Sequence, residues 1–200
     1  MKLIYSGTSP FVRKVSVLLL ETGLEGRVEK ETVAITPMNP GDVVPAANPL
    51  GKVPCLIKDD GTSIFDSRVI TRYLDTLHNG TNLYPEDDSL WQILTLEAVA
   101  DGMVDAAILM VYERLLRTDE QKSPEWVEAQ WLKISRALAH LDEQVSTLEP
   151  LSMASIAVGA ALGYIDFRHE DRNWRGIAPK LAIWEAEFSK RASMLVTMPS

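Results

Sequence analysis

The spacing of apolar residues changes once along this chain, near residue 80, and the change limits what can fold on either side of it. Before that point, short apolar runs alternate with stretches of helical period. Residues 3–5 read as a strand, and 10 to about 21 as a helix with Val12, Val15, Leu18 and Leu19 on one face. Residues 28–35 alternate as a second strand, and the Pro/Gly/Asn-rich loop 36–51 leaves room for one short helix near 42–46. Two further strands, 53–57 and 62–65, flank Lys58-Asp59-Asp60-Gly61, an Asp-Gly hairpin signal, and a helix from 66 to about 78 follows. This βαβ(α)ββα order implies a small mixed sheet with helices packed on it.

Asn79-Gly80-Thr81-Asn82 and Pro85-Glu86-Asp87-Asp88 read as a linker, and everything beyond has helical spacing. Ile93, Leu96, Ala100, Met103, Ala107 and Met110 form one stripe. Val127, Trp131, Ile134, Leu138, Leu141, Val145 and Leu148 form another, on a helix opened by Ser123-Pro124. Further helices are expected from about 152 to 168 and from 179 to 191. The expected organisation is 1–79, a linker over 80–88, and an all-helical part over 89–200.

Charge follows the same boundary. Residues 1–80 hold 9 Lys/Arg and 9 Asp/Glu, so the whole net charge of −8 falls in residues 81–200, with 11 basic and 19 acidic side chains. All five tryptophans lie there too. An acidic chain is a poor match for nucleic acid, which selects basic surfaces. No run approaches the ~20 apolar residues of a membrane span, and the N-terminus lacks a signal-peptide pattern. The single cysteine, Cys55, excludes an internal disulfide, so the cytoplasm is the expected compartment. His78, His140 and His169 lack metal-ligand spacing, and no metal is expected.

Chemistry concentrates where the first strand ends. Tyr5-Ser6-Gly7-Thr8-Ser9-Pro10 places hydroxyls at 6, 8 and 9 against a helix that opens with Ser9 as cap and Pro10 as first residue. The first turn of a helix presents unpaired N–H groups and about half a positive charge, so it favours an anion. Val53-Pro54 opens a strand in which a proline is out of place at a regular central position, and either a cis bond or a trans proline on an edge strand reconciles the two. Asp66-Ser67 marks a strand-to-helix junction, where such residues serve either as caps or as ligands for an anion.

Three pieces, Ser9-Pro10-Phe11-Val12-Arg13-Lys14-Val15, Asn48-Pro49-Leu50-Gly51-Lys52-Val53-Pro54 and Asp66-Ser67-Arg68-Val69-Ile70, resemble in order and spacing the glutathione S-transferase superfamily across essentially the whole chain. The resemblance implies a thioredoxin-like N-terminal domain, α/β in class, followed by an α-helical C-terminal domain, assembled as a homodimer. It is similar in particular to bacterial members with a hydroxyl residue at the thiol-activating turn. It implies glutathione as co-substrate, a hydrophobic small molecule as its partner, and a role in detoxification.

Carried onto this sequence, the resemblance assigns the glutathione site to Phe11, Lys52, Val53, Pro54, Asp66 and Ser67. Pro54 would be cis and Val53 before it would present its backbone to the cysteinyl part, Ser67 would take the γ-glutamyl carboxylate, Asp66 would face the amino group, and Lys52 the glycyl carboxylate. Ser9, with Thr8 and then Ser6 as alternatives, would donate to the sulfur. Thiols ionise near ~8.5, and a depression of ~2 units needs only ~2.7 kcal/mol of differential stabilisation. A plain helix cap accounts for Ser9 equally well. Arg13 is a further candidate for holding the anion. Cys55, inside a strand, reads as a small buried hydrophobe and not as a nucleophile.

In the helical part the electrophile pocket is expected from Met103, Ala107, Met110, Val111 and Arg114, with Tyr112 nearby and Phe11 from the first part. The same stripe also reads as core or dimer contact. Asp166, between aromatics, reads as a structural acid. The capping box at 152–155 carries Ser155 where the family has an acid, so Ser155→Asp is expected to stabilise. The functional expectation is a glutathione transferase. The alternatives are a non-catalytic glutathione- or protein-binding module resembling stringent starvation protein, or a glutathione-dependent isomerase or reductase.

Overall fold

The computed structural model describes residues 1–199 and divides into two units, one of residues 1–85 together with the segment from Ala192 onward, the other of 86–191.

The first unit is a four-stranded mixed sheet in the order β2-β1-β3-β4. β1 (Lys2–Tyr5) runs parallel to β2 (Glu29–Thr32) and antiparallel to β3 (Cys55–Ile57), which pairs antiparallel with β4 (Ser63–Ile64). Side chains alternate across a strand. Ile4 and Cys55 therefore share one face, where they join Val44 of the short helix α2 (Val43–Ala47) in a buried cluster. Leu3 and Leu56, also fully buried, take the opposite face. There, α1 (Pro10–Glu21) packs on α3 (Ser67–Asp75), with Val15, Leu18, Ile70 and Leu74 inaccessible.

The second strand is shorter than its alternation suggests. Only Glu29-Lys30-Glu31-Thr32 pairs, because β1 offers four residues to pair with. Its polar, mostly exposed side chains suit an edge strand, which charge protects from pairing with other chains. Val33 and Ile35 leave the ladder and pack on the Ile4 cluster.

Buried polar side chains tie down the loops of this unit. Asn48 donates to the Lys52 carbonyl at 2.8 Å and accepts from the Leu50 N–H at 3.0 Å. Asp75 accepts from the N–H groups of Leu83 and Tyr84 at 2.9 and 3.0 Å, and contacts His78 Nε2 at 3.0 Å. The C-terminal helix α9 (Ala192–Val196), expected with the helical part over 89–200, packs instead on α1. Ser193 hydrogen-bonds Glu21, and Arg13 donates to the Met194 carbonyl at 3.1 Å and to Thr197 Oγ1 at 3.4 Å.

The second unit is helical. α4 (Leu90–Leu116) packs against α5 (Pro124–Glu143) and α6 (Met153–Arg168). Short α7 (Trp174–Ile177) and α8 (Pro179–Phe188) complete it. α6 is apolar nearly all round, as a helix enclosed by its neighbours must be, and its Ala157, Gly159, Ala160 and Ala161 admit close approach. The stripe on α5 buries Trp131, Ile134, Leu138 and Leu141, but the helix stops at Glu143 and a 3₁₀ turn, Val145–Leu148, delivers Leu148 to the core.

The capping box forms between serines, and its geometry reverses one expectation. Ser155 Oγ accepts from the Ser152 N–H at 3.1 Å and donates to the Leu148 carbonyl at 2.6 Å, fully buried. An aspartate could not make that donation. It would set a carboxylate against a carbonyl oxygen without solvent, so Ser155→Asp should destabilise. Asp166 is a hydrogen-bonded structural acid, accepting from Trp174 Nε1 at 2.7 Å and from both terminal nitrogens of Arg175 at 2.8 Å.

Candidate active site

Sheet topology brings the three sequence pieces to one edge. β1 ends at Tyr5 and leads into the 6–9 turn. Because β3 is antiparallel with Ile4 opposite Cys55, the residues that precede it, Val53 and Pro54, lie at that same end. β4 returns antiparallel to β3 with Ile64 opposite Leu56, which carries Phe65, Asp66 and Ser67 back there as well. Ser9, Val53-Pro54 and Asp66-Ser67 thus converge although 58 residues separate the first from the last.

At the first corner the Ser9 N–H bonds the Ser6 carbonyl at 3.1 Å, closing the turn. Ser9 Oγ accepts from the Val12 N–H at 3.3 Å and so caps α1, with Pro10 at the first helical position. Both readings of Ser9 survive together. As a cap the oxygen accepts, and its own proton remains available for a second partner. The first turn of α1 contains no acidic residue that would compete for its dipole. Thr8 is exposed on the turn. Arg13 does not face this corner: it is buried and spends its donors on the C-terminal segment.

At the second corner the Val53-Pro54 bond is cis, as the family resemblance implies, and the strand begins immediately after it. Asn48 fixes the approach by holding the Lys52 carbonyl, and Gly51 turns with φ +63° against Pro40, where a Cβ would sit 3.0 Å from the proline ring. Lys52 itself is exposed. In the sequence Asn48 stands out only as part of the Asn48–Pro54 motif. Its place before Pro49 and Gly51 was the available signal for a loop clamp.

At the third corner Asp66 accepts from the Arg68 N–H at 3.0 Å and caps α3, and Ser67, 2% exposed, is its first residue. The Phe65-Asp66 bond is also cis. Thr71 Oγ1 lies 2.9 Å from the Ser67 carbonyl and 2.8 Å from the Tyr84 hydroxyl. Cys55, next to Pro54, is fully buried. Burial pushes its thiol up from the ordinary value, and Sγ contacts the Ala47 carbonyl at 3.5 Å. That is the environment of an inert thiol, not of an activated one.

In the helical unit the expected electrophile residues separate. Met103 and Ala107 are 1% and 0% exposed, held in the packing of α4, so they belong to the core. Val111 is also buried, and Tyr112 is partly exposed, with burial raising its hydroxyl pKa. Met110 and Arg114 line a cavity of about 320 Å³ with Pro124, Val127 and His169 among its walls. Buried His169 donates from Nε2 to the Ala107 carbonyl at 3.0 Å. Desolvation is the main force holding its pKa below the usual histidine value, and Arg114 and Arg172 add to it. Among the described residues no group of three or more His, Cys, Asp or Glu is arranged to hold a metal, and no helix is long and apolar enough to cross a membrane.

Comparison with known proteins agrees with this geometry. The family model for the glutathione S-transferase N-terminal domain matches residues 8–77, and that for the C-terminal domain matches 124–187. An uncharacterised GST-like protein of Escherichia coli K12, YibF, is 35% identical over all of this chain and 98% of its own. A glutathione transferase family member from Pseudomonas fluorescens Pf-5, solved with bound glutathione, is 44% identical and superposes with a TM-score of 0.97 over 100% of this chain and 98% of its own. A structure from the same organism holds S-(propanoic acid)-glutathione, with 44% identity, a TM-score of 0.92 and full coverage of both chains. A glutathione S-transferase of Methylobacillus flagellatus KT with glutathione bound is 38% identical, with a TM-score of 0.89 over 100% of this chain and 99% of its own. Sequence motifs, sheet topology and these likenesses converge on one assignment: the chain belongs to the glutathione S-transferase superfamily.

Proposed function

We propose that this protein is a glutathione transferase in which Ser9 stabilises the glutathione thiolate for attack on a small electrophile. The observation that carries the reading is the convergence of Ser9, Val53-Pro54 and Asp66-Ser67 at one sheet edge. Ser67 and the first turn of α3 suit the γ-glutamyl carboxylate, with Asp66 toward the amine and Lys52 toward the glycyl end. Val53, just before the cis bond, presents its backbone to the cysteinyl part, and Phe11 and Pro54 pack beside it. The Ser9 hydroxyl then donates to the sulfur while the α1 dipole favours negative charge. Thr8 is the alternative donor. Relatives solved with glutathione and with a glutathione thioether support both the ligand and the kind of product.

The protein supplies proximity and an anion-stabilising site, with no covalent enzyme intermediate. A cysteine-based reductase is disfavoured by the buried Cys55. Recognition of the electrophile falls to the helical unit, with Met110 and Arg114 the candidates that line a cavity. We further propose a cytoplasmic homodimer acting in detoxification.

The test is the thiolate difference absorbance of bound glutathione across neutral pH, for the wild type and Ser9→Ala. The reading expects a thiolate signal that the variant loses. Saturable glutathione binding without ionisation would leave a binding module in its place.

A further inference from the structure

His169, which ends α6, has one ring nitrogen engaged and the other without a protein partner. Nε2 lies 3.0 Å from the Ala107 carbonyl, which can only accept, so Nε2 carries the proton. Desolvation is the main force holding the pKa below the usual histidine value, and Arg114 and Arg172 add to it against the Ala107 bond and Asp171. The ring is therefore neutral at neutral pH, and Nδ1 keeps a lone pair. Among the described residues nothing donates to it. His169 is only 5% exposed, yet the buried polar atoms sealed off without a partner are Ser16 Oγ, Arg168 Nε and Trp184 Nε1, and Nδ1 is not one of them. The open space that His169 meets is the cavity of about 320 Å³ that it lines with Met110, Arg114, Pro124 and Val127.

We propose that this cavity binds a small molecule bearing a phenolic hydroxyl, which donates to His169 Nδ1 and accepts from Arg114 while the ring covers Met110, Pro124 and Val127. All of these residues belong to the helical unit, so the binding requires no glutathione and does not rest on the transferase reading. Met110 and Arg114 are also the electrophile candidates, so a substrate held here would carry the same hydroxyl.

Charge selects a neutral ligand. The cavity is lined by three basic side chains, Arg114, Lys122 and Arg172, and by three acidic ones, Glu113, Glu128 and Asp171. Most of them are already engaged. Arg172 and Glu128 meet at 2.6 Å, Lys122 reaches Asp119 at 2.7 Å, and Glu113 accepts from the Ser123 N–H at 2.9 Å. Asp171 lies 4.0 Å from Arg172 Nε. Arg114 keeps donors to spare: among the described residues its guanidinium makes one hydrogen bond, a long one of 3.5 Å to the Arg168 carbonyl. It also stands near enough to His169 to lower the histidine pKa.

A cationic donor and a neutral acceptor thus border one apolar cavity. A carboxylate would turn its lone pairs on Nδ1, and an ammonium its charge on Arg114. A hydroxyl serves both through a single oxygen. Water serves the two polar groups equally well but leaves the apolar wall wet, and a ring removes that cost. The acidic proton of a phenol makes it a stronger donor than an aliphatic alcohol, and its ring suits the Met110 sulfur.

Calorimetric titration of the full-length protein with 4-ethylphenol and 4-ethylanisole, in the absence of glutathione, tests the site. The phenol is expected to bind about tenfold tighter than the ether, which has the oxygen but no proton to give. Arg114→Met should weaken both ligands and leave their ratio, whereas His169→Phe should bring the two affinities together. His169 is buried, so a measurement without substitution accompanies the variants. The nitrogen NMR signal of His169 Nδ1 in the wild type should move upfield when the phenol is added and stay in place with the ether. A phenol that does not bind, an ether that binds as tightly, or an Nδ1 signal that does not move overturns the inference. Binding and ionisation of glutathione, measured separately, decide the transferase reading alone.

Discussion

The first unit is organised by its turns and the second by its long helices. In the first, Ser9 and Asp66 cap helices, Asn48 clamps the loop before the cis proline, and Asp75 grips the chain at Leu83 and Tyr84. In the second, α4, α5 and α6 bury apolar faces over 27, 20 and 16 residues, and polar groups enter at a few points such as the Ser152–Ser155 box. A site built from turn residues and backbone N–H groups leaves a signature in the sequence, because Ser, Asp, Pro and Gly are chosen there for local reasons. A pocket built on helix faces does not, because the same apolar period describes core, pocket and interface.

This contrast can be broken or sharpened by substitution. The largest loss of stability is expected for Asp75→Ala, which strips the acceptor from two buried backbone N–H groups and a histidine. A cost of about 3 kcal/mol follows from the desolvation of the donors left behind, measured by urea denaturation. A cost near that of an exposed side chain would mean the first unit does not depend on its loop clamps.

Ser9→Ala comes next. The conjugation rate with glutathione should fall about 100-fold, as for loss of one positioned proton donor, while stability drops by only about 1 kcal/mol for the lost cap. Equal effects on both would reduce Ser9 to a cap. In the helical unit, Ser155→Asp should lower stability by about 1–2 kcal/mol because the buried Leu148 carbonyl loses its donor. A higher melting temperature would restore the charge argument drawn from the sequence.

The smallest effect concerns His169. Its folded pKa lies below the unfolded value of about 6.5, so the unfolded chain binds the proton more readily. The stabilisation is complete above about pH 6.5 and is lost as the pH falls toward the folded value. His169→Gln, able to keep the bond to the Ala107 carbonyl, should flatten thermal stability between about pH 7.5 and 5.5 relative to the wild type. An unchanged slope would move the acid sensitivity elsewhere.

How much the sequence discloses follows from the range of each signal. The helix start at Ser9-Pro10 and the hairpin around Asp60-Gly61 are read within a few residues and are found in the structure, as is the cis Val53-Pro54 bond that the family resemblance implies. Arg13 was equally visible, but its partners, Met194 and Thr197, lie more than 180 residues away and no local pattern names them. Met103 and Ala107 matched a pocket stripe and turned out to be core, since which face of α4 stays accessible depends on where α5 and α6 close upon it.

By itself, then, the sequence determines the change from mixed sheet to helices, the caps that begin those helices, and the three short motifs of the candidate site. Each is a short-range matter of backbone preference and hydrogen bonding. Tertiary structure alone decides that α9 returns to α1, that Ser155 must be a donor, and that Met103 and Ala107 lie in the core. Those outcomes depend on which groups meet across the fold, and the energy of a buried polar group is set by its partner and not by its neighbours in the chain.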